Sequence, residues 1–165
     1  MDKTGADAFV FAKANGILGK SFTAKRAHQF FSAKSIGELW TLLYRSQSPL
    51  VPEVLLSQQI EEKAFTDFIA QYVKFIDMYD KPERVLVDQL LLFEGENLKE
   101  IGASLCKGEK NPPKLIDLGS YSSLHYKAWP DIKKITRGTP FSWYNKVPSI
   151  HEQQQFEFKI DIQVC

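Results

Sequence analysis

Cysteine, histidine and methionine are scarce in this chain, with two, three and two copies respectively among 165 residues. Cys106 and Cys165 are too few for a disulfide framework and are not spaced as metal ligands, which excludes the small disulfide-stapled class and suits a reducing compartment. His28, His125 and His151 lack the i, i+4 spacing of a helical zinc pair, so they read as ordinary, partly exposed side chains. No apolar run reaches roughly 18 residues, the length that marks a spanning helix. The opening Met1-Asp2-Lys3-Thr4-Gly5 has neither the basic segment nor the apolar core of a secretory signal. Work at a membrane would therefore be done from outside the bilayer.

Hydrophobic residues are plentiful, at 44%, with 13% aromatic. A chain of this length and composition buries a sizeable core, so it is globular, with one domain or one and a fraction. The net charge of +1 conceals three blocks: +4 over residues 1–45, −6 over 46–100 and +3 over 101–165. The acidic middle argues against nucleic acid along that stretch, because phosphate neutralisation needs a continuous basic surface. Trp40, Trp129 and Trp143 are accordingly read as core rather than as base-stacking platforms.

The pattern is helical throughout. Ala6 to Ala14 is alanine-rich, followed by Gly16 and Gly19, and predicts a buried helix ending near Lys20. Thr23 is the expected cap of a second helix through Ala27, Phe30 and Phe31, and Ser35-Ile36-Gly37-Glu38 has the form of a capping box before Leu39, Leu42 and Leu43. After Pro49 and Pro52, the residues Ile60, Phe65, Phe68, Ile69, Tyr72, Ile76 and Tyr79 fall on one side at helical spacing. Pro82 suits the first turn of another helix carrying Leu86, Leu90, Phe93, Leu98, Ile101 and Leu105, with Gly95 as a local irregularity. Ile60 to Cys106 is thus predicted to be two long antiparallel helices joined at Asp80-Lys81-Pro82. The polar, turn-forming Lys107 to Pro113 predicts a boundary, giving one helical unit over 1–110 and the start of a second over 111–165. Beyond it lie a short apolar segment, Leu115 to Leu118, and a short helix opened by Pro130 with Ile132 and Ile135.

An internal echo supports that division. Glu38 to Ser48 can be laid over Asp131 to Phe141, and Phe22 through Lys34 then holds the place of Leu118 through Ala128. The segment Gln154 to Cys165 reads as an element cut short, so the second unit is expected to be truncated, with a short C-terminal strand as the alternative.

Nothing in the sequence assembles into a reaction centre. Asp77, Asp80 and Asp88 belong to helix ends or exposed faces, and Gly102-Ala103-Ser104 lacks the Gly-x-Ser-x-Gly turn of a nucleophile, reading instead as a packing face. Gly16 to Ser21 falls short of a phosphate loop because Asn15 stands where its first glycine belongs. The best candidate for functional exposure is Pro140-Phe141-Ser142-Trp143-Tyr144, whose other expected role is packing against a following unit. No catalytic, cofactor-binding or metal-binding residue is assigned.

Several segments, taken in order, carry a family likeness. They are Ala8-Phe9-Val10-Phe11-Ala12-Lys13-Ala14, Ala33 to Leu39, Glu94-Gly95-Glu96-Asn97-Leu98-Lys99-Glu100-Ile101, Leu118-Gly119, and Arg137-Gly138-Thr139-Pro140-Phe141. With the sharpest, Glu96-Asn97-Leu98-Lys99 leading to Lys107-Gly108, the chain from Ala6 to Cys165 resembles the socket component of the archaeal and bacterial V-type ATPase or ATP synthase, which the eukaryotic vacuolar ATPase also possesses. The resemblance implies an all-α, funnel-like protein of three similar helical units, of which this chain would hold the first and part of the second. It implies a non-catalytic socket on the cytoplasmic face of the membrane proteolipid ring, coupling the central stalk to proton or sodium transport, with no nucleotide, cofactor or small-molecule ligand. On the residues alone the alternative is a free-standing helical adaptor.

Overall fold

The computed structural model describes residues 1–23 and 27–165. The chain is all-α, with no strand among the described residues. It forms two compact units, Met1–Lys81 and Pro82–Cys165. The division falls at the Asp80-Lys81-Pro82 joint, whereas the sequence placed it at 110/111. The two long helices consequently belong to different units.

In the first unit, α1 (Lys3–Lys20) is capped by Asp2, whose Oδ1 accepts from the Gly5 N–H at 2.9 Å, and closes where Ser21 bonds back to the Leu18 carbonyl. Gly16 and Gly19 lie inside it rather than ending it. The expectation of burial fails, because only Ala6 is buried. Alanine favours the helix through low side-chain entropy and does not by itself require a covered face. α2 (His28–Phe31) is one turn long and starts after Ala27 with no side-chain cap, so Thr23 is not its cap; residues 24–26 lie outside the described residues.

The next helix forms as its local signals dictate. Ser35 caps α3 (Ile36–Tyr44), its hydroxyl accepting from the Glu38 N–H, while Glu38 Oε2 reaches back to the Lys34 N–H at 2.7 Å. Arg45 then ends α3 in the left-handed region, at φ 52°. The Tyr44 hydroxyl donates to the Ile60 carbonyl at 2.9 Å, and Lys63 lies over its ring, fastening α3 to α4 (Glu53–Ile76). The inner face of α4 is Leu56, Ile60, Ile69 and Ile76. Phe65 and Phe68, predicted on that side, remain 39% and 57% exposed. The Tyr79 hydroxyl donates to Asp7 at 2.8 Å, tying the chain after α4 to α1.

In the second unit the expected single helix is broken. Glu83 holds the N-cap position of α5 (Arg84–Asp88) without a side-chain cap, so Pro82 lies before the helix rather than in its first turn, and Gln89 separates α5 from α6 (Leu90–Cys106). The Leu92 N–H bonds the Gln89 carbonyl three residues back, a tighter step than the α pattern. Gly95 is no irregularity. It lies in regular helix where a Cβ would come within 3.0 Å of Ile160 and 3.2 Å of Val164, so it lets α8 (Gln153–Val164) pack closely. α8 is helical over the segment for which a strand was the alternative.

Between α6 and α8 the chain makes two 3₁₀ turns, Gly119–Tyr121 and Tyr126–Ala128, and a one-turn helix, α7 (Ile132–Ile135), capped by Asp131. Pro130 precedes the cap, after a cis peptide bond from Trp129, rather than occupying the first turn. The core joins Leu98 and Ile101 of α6 to Ile135, Phe141, Tyr144 and Ile160. Residues 107–113 are tied into this unit: the Glu109 N–H bonds the Ser104 carbonyl, and the Trp129 indole donates to the Lys110 carbonyl at 3.2 Å. The echoed segments differ in form, since α3 has nine residues and α7 four, and Glu38 lies within its helix whereas Asp131 caps.

Candidate functional site

The segment with the sharpest family likeness is the polar fastening of the second unit. Glu94 and Asn97 are each only 2% exposed. Glu94 Oε1 accepts from the Ser123 N–H at 2.7 Å and the Leu124 N–H at 2.6 Å, with the Ser122 and Ser123 hydroxyls at 3.1 and 3.2 Å. Its other oxygen, Oε2, is buried without a partner. Three residues on, one helical turn, Asn97 Nδ2 donates to the Ile116 carbonyl and to the Tyr126 hydroxyl, both at 2.9 Å. Burial, and then the Glu94 charge against the pull of Ser122 and Asn97, pushes the Tyr126 phenol up to about 12. Lys99 bridges Glu96 on its own helix to Asp161 on α8. The four hydrogen bonds on Glu94 Oε1 and those of Asn97 specify one path for the 115–126 loop.

The residues weighed as catalytic stand apart. Asp88 pairs with Arg84 one turn away at 3.3 Å, Asp80 holds the Met1 amine at 2.6 Å, and Asp77 ends α4. The His125 ring lies 3.0 Å from the Arg137 carbonyl. No group of three or more His, Cys, Asp or Glu suited to a metal ion occurs among the described residues. Gly102 is the packing position the sequence suggested, since a Cβ there would strike the Tyr144 hydroxyl. Within Pro140 to Tyr144, Phe141 is 0% and Tyr144 2% exposed, both in the core of their own unit, while Trp143 is half-buried and Pro140 and Ser142 are exposed.

An uncovered apolar surface lies in the first unit. Ala14, Ile17 and Leu18 of α1 face Phe68, Tyr72 and Phe75 of α4 across a groove of about 430 Å³. The Phe68 and Tyr72 rings stack along its α4 wall, 6.2 Å apart, and burial raises the Tyr72 phenol above its ordinary range. On α1 itself a second hollow, about 410 Å³, is lined by Phe9, Ala12, Lys13, Gly16, Ile17 and Lys20. Sequence reasoning missed this surface because it took the alanine-rich helix as internal. The exposed Phe9 and Phe11 on opposite sides of the helix were the available signal. No described helix is long and apolar enough to cross a membrane.

No protein-family profile matches the chain, and no solved structure matches it. It is similar to an uncharacterised protein of Treponema pallidum (strain Nichols), 25% identical over 161 residues, which cover 98% of this chain and 47% of that protein. The chain thus spans about half the length of the curated relative it matches.

Proposed function

We propose that the chain is part of the non-catalytic coupling component of a V-type rotary ATPase or ATP synthase, a socket between the central stalk and the membrane proteolipid ring. In that role it is peripheral, on the cytoplasmic face of the membrane, and binds neither nucleotide nor metal. The observation that carries the reading is the agreement between likeness and architecture at Glu94–Lys99: the segment most like the family is the one whose buried Glu94 and Asn97 stiffen an all-helical unit. Torque passes through a part only as well as that part resists deformation, and close-packed helices tied by buried hydrogen bonds deform little. The exposed apolar surface of the first unit supports an adaptor's need for a partner-facing side.

Two bindings test the proposal. Full-length protein should sediment with vesicles carrying the proteolipid ring and should be retained by immobilised central stalk, and adding it to enzyme stripped of its socket should restore ATP-driven ion uptake. Failure to bind either ring or stalk would overturn the proposal and leave the free-standing adaptor.

A further inference from the structure

We infer that Asn15 is a site of spontaneous modification, at which the Gly16 nitrogen closes on the Asn15 side chain and expels ammonia when the second half of α1 unwinds. Of the asparagines, Asn15, Asn97, Asn111 and Asn145, only Asn15 precedes glycine. Ring closure needs the N–H of the following residue and little bulk beside it. Pro112 denies Asn111 that N–H, burial and Leu98 hinder Asn97, and the Lys146 side chain crowds the approach at Asn145. Gly16 has no side chain to obstruct it, and a Cβ there would meet nothing within 4 Å.

The intact helix holds the reaction off. Within α1 the Gly16 N–H points along the axis to the carbonyl four residues back, and Asn15 Nδ2 donates to the Phe11 carbonyl at 2.8 Å, which turns the side chain away from Gly16. Unwinding brings the nitrogen and the amide carbon together. The first turns of α1 are pinned by the Asp2 cap, by buried Ala6 and by the Tyr79 hydroxyl on Asp7. From Phe11 to Lys20 every residue is exposed, and Gly16 and Gly19 both weaken a helix interior relative to alanine. A short helical stretch with no buried side chain opens more readily than the packed part of its unit.

The chemistry needs only water. The Gly16 nitrogen attacks Asn15 Cγ and loses its proton, the Cγ–Nδ2 bond breaks, and ammonia leaves behind a cyclic imide. Water then opens the ring at either carbonyl, giving aspartate or isoaspartate. In isoaspartate the main chain runs through the former side chain and gains a methylene, so the helical hydrogen-bond spacing is lost at that point. α1 then ends near Ala14, and Ile17 and Leu18 leave the groove wall that faces Phe68 and Tyr72.

The test holds the full chain in warm, mildly alkaline buffer and follows each asparagine by mass-spectrometric peptide mapping. Ammonia loss should concentrate at Asn15, with isoaspartate among the products. The isolated isoaspartyl form should show less helical circular dichroism than wild type or Asn15→Asp, which has the new charge on an unbroken backbone. Gly19→Ala leaves the reacting pair untouched, and its Cβ would meet nothing within 4 Å; by stiffening the helix it should slow the reaction about fivefold. Conversion at Asn145 ahead of Asn15, an unchanged rate in Gly19→Ala, or an isoaspartyl form as helical as wild type overturns the inference.

Discussion

Asn97 and Ile116, nineteen residues apart, exchange two hydrogen bonds: the Ile116 N–H donates to Asn97 Oδ1 at 2.7 Å, and Asn97 Nδ2 donates to the Ile116 carbonyl at 2.9 Å. One side chain thus supplies what a strand neighbour supplies in a sheet, and it does so from inside a helix. Asn97→Leu leaves both Ile116 groups without partners, so the second unit should lose about 2–4 kcal/mol of stability. Denaturant titration checks this through Trp129 and Trp143 fluorescence in a variant whose Trp40, in the first unit, is replaced by Phe. A midpoint unchanged from wild type would contradict the role given to Asn97.

Glu94 separates an acceptor from a charge. Glu94→Leu orphans the Ser123 and Leu124 N–H groups that its Oε1 now satisfies, and should cost about 3–5 kcal/mol. Glu94→Gln keeps one acceptor oxygen while removing the charge and placing an amide nitrogen at the unpartnered Oε2 position, so the same titration should show a smaller loss, about 1 kcal/mol.

Gly102 and Tyr144 form a steric pair. Gly102→Ala drives a methyl into the Tyr144 hydroxyl and should destabilise by about 2 kcal/mol, in the range of overpacking. Adding Tyr144→Phe removes the struck atom, so a double-mutant cycle should return a coupling of about 1 kcal/mol that favours the pair of changes.

Alkaline pH offers a test of the polar fastening. Tyr126 ionises at about 12 in the folded protein against an ordinary 10.0, chiefly because burial disfavours its charged form. A raised folded value means the neutral phenol is favoured in the native state. Its contribution is therefore complete below pH 10 and declines as pH rises from 10 toward 12. Burial also raises Tyr72 and, more strongly, Tyr144, so absorbance at high pH should show one fewer late-titrating tyrosine in Tyr126→Phe than in wild type, and the variant's stability should fall less steeply over that window.

What was legible in the sequence was local. The Ser35–Glu38 capping signal and the period of Ile60, Ile69 and Ile76 depend on neighbours within a few turns, and the structure realises both. What depends on distant residues was misread. Gly95 looked like a flaw because the helix pressing on it lies some sixty residues away. Phe141 and Tyr144 looked exposed because α6, which they pack against, is remote in sequence. The groove beside Phe68 and Tyr72 exists only because α1 returns to α4, and no pattern within either helix encodes that return. Pro82 illustrates a third case: its permitted place in a first turn was compatible with the chain, but the helix opens two residues later.

The alternation of Phe156, Phe158, Ile160 and Ile162 with Glu157, Lys159 and Asp161 is the pattern of a strand, yet these residues form α8. As a helix the segment buries only Ile160 fully and leaves Phe158 64% and Ile162 62% exposed; as a strand it would gather every apolar side chain on one face. Its conformation is consequently chosen by α6, through the close approach at Gly95 and the Lys99–Asp161 pair, rather than by its own preference. Any loss of that template, during synthesis or after a cut in the 107–113 loop, releases an amphipathic strand with an open edge, and aggregation of this protein would start there.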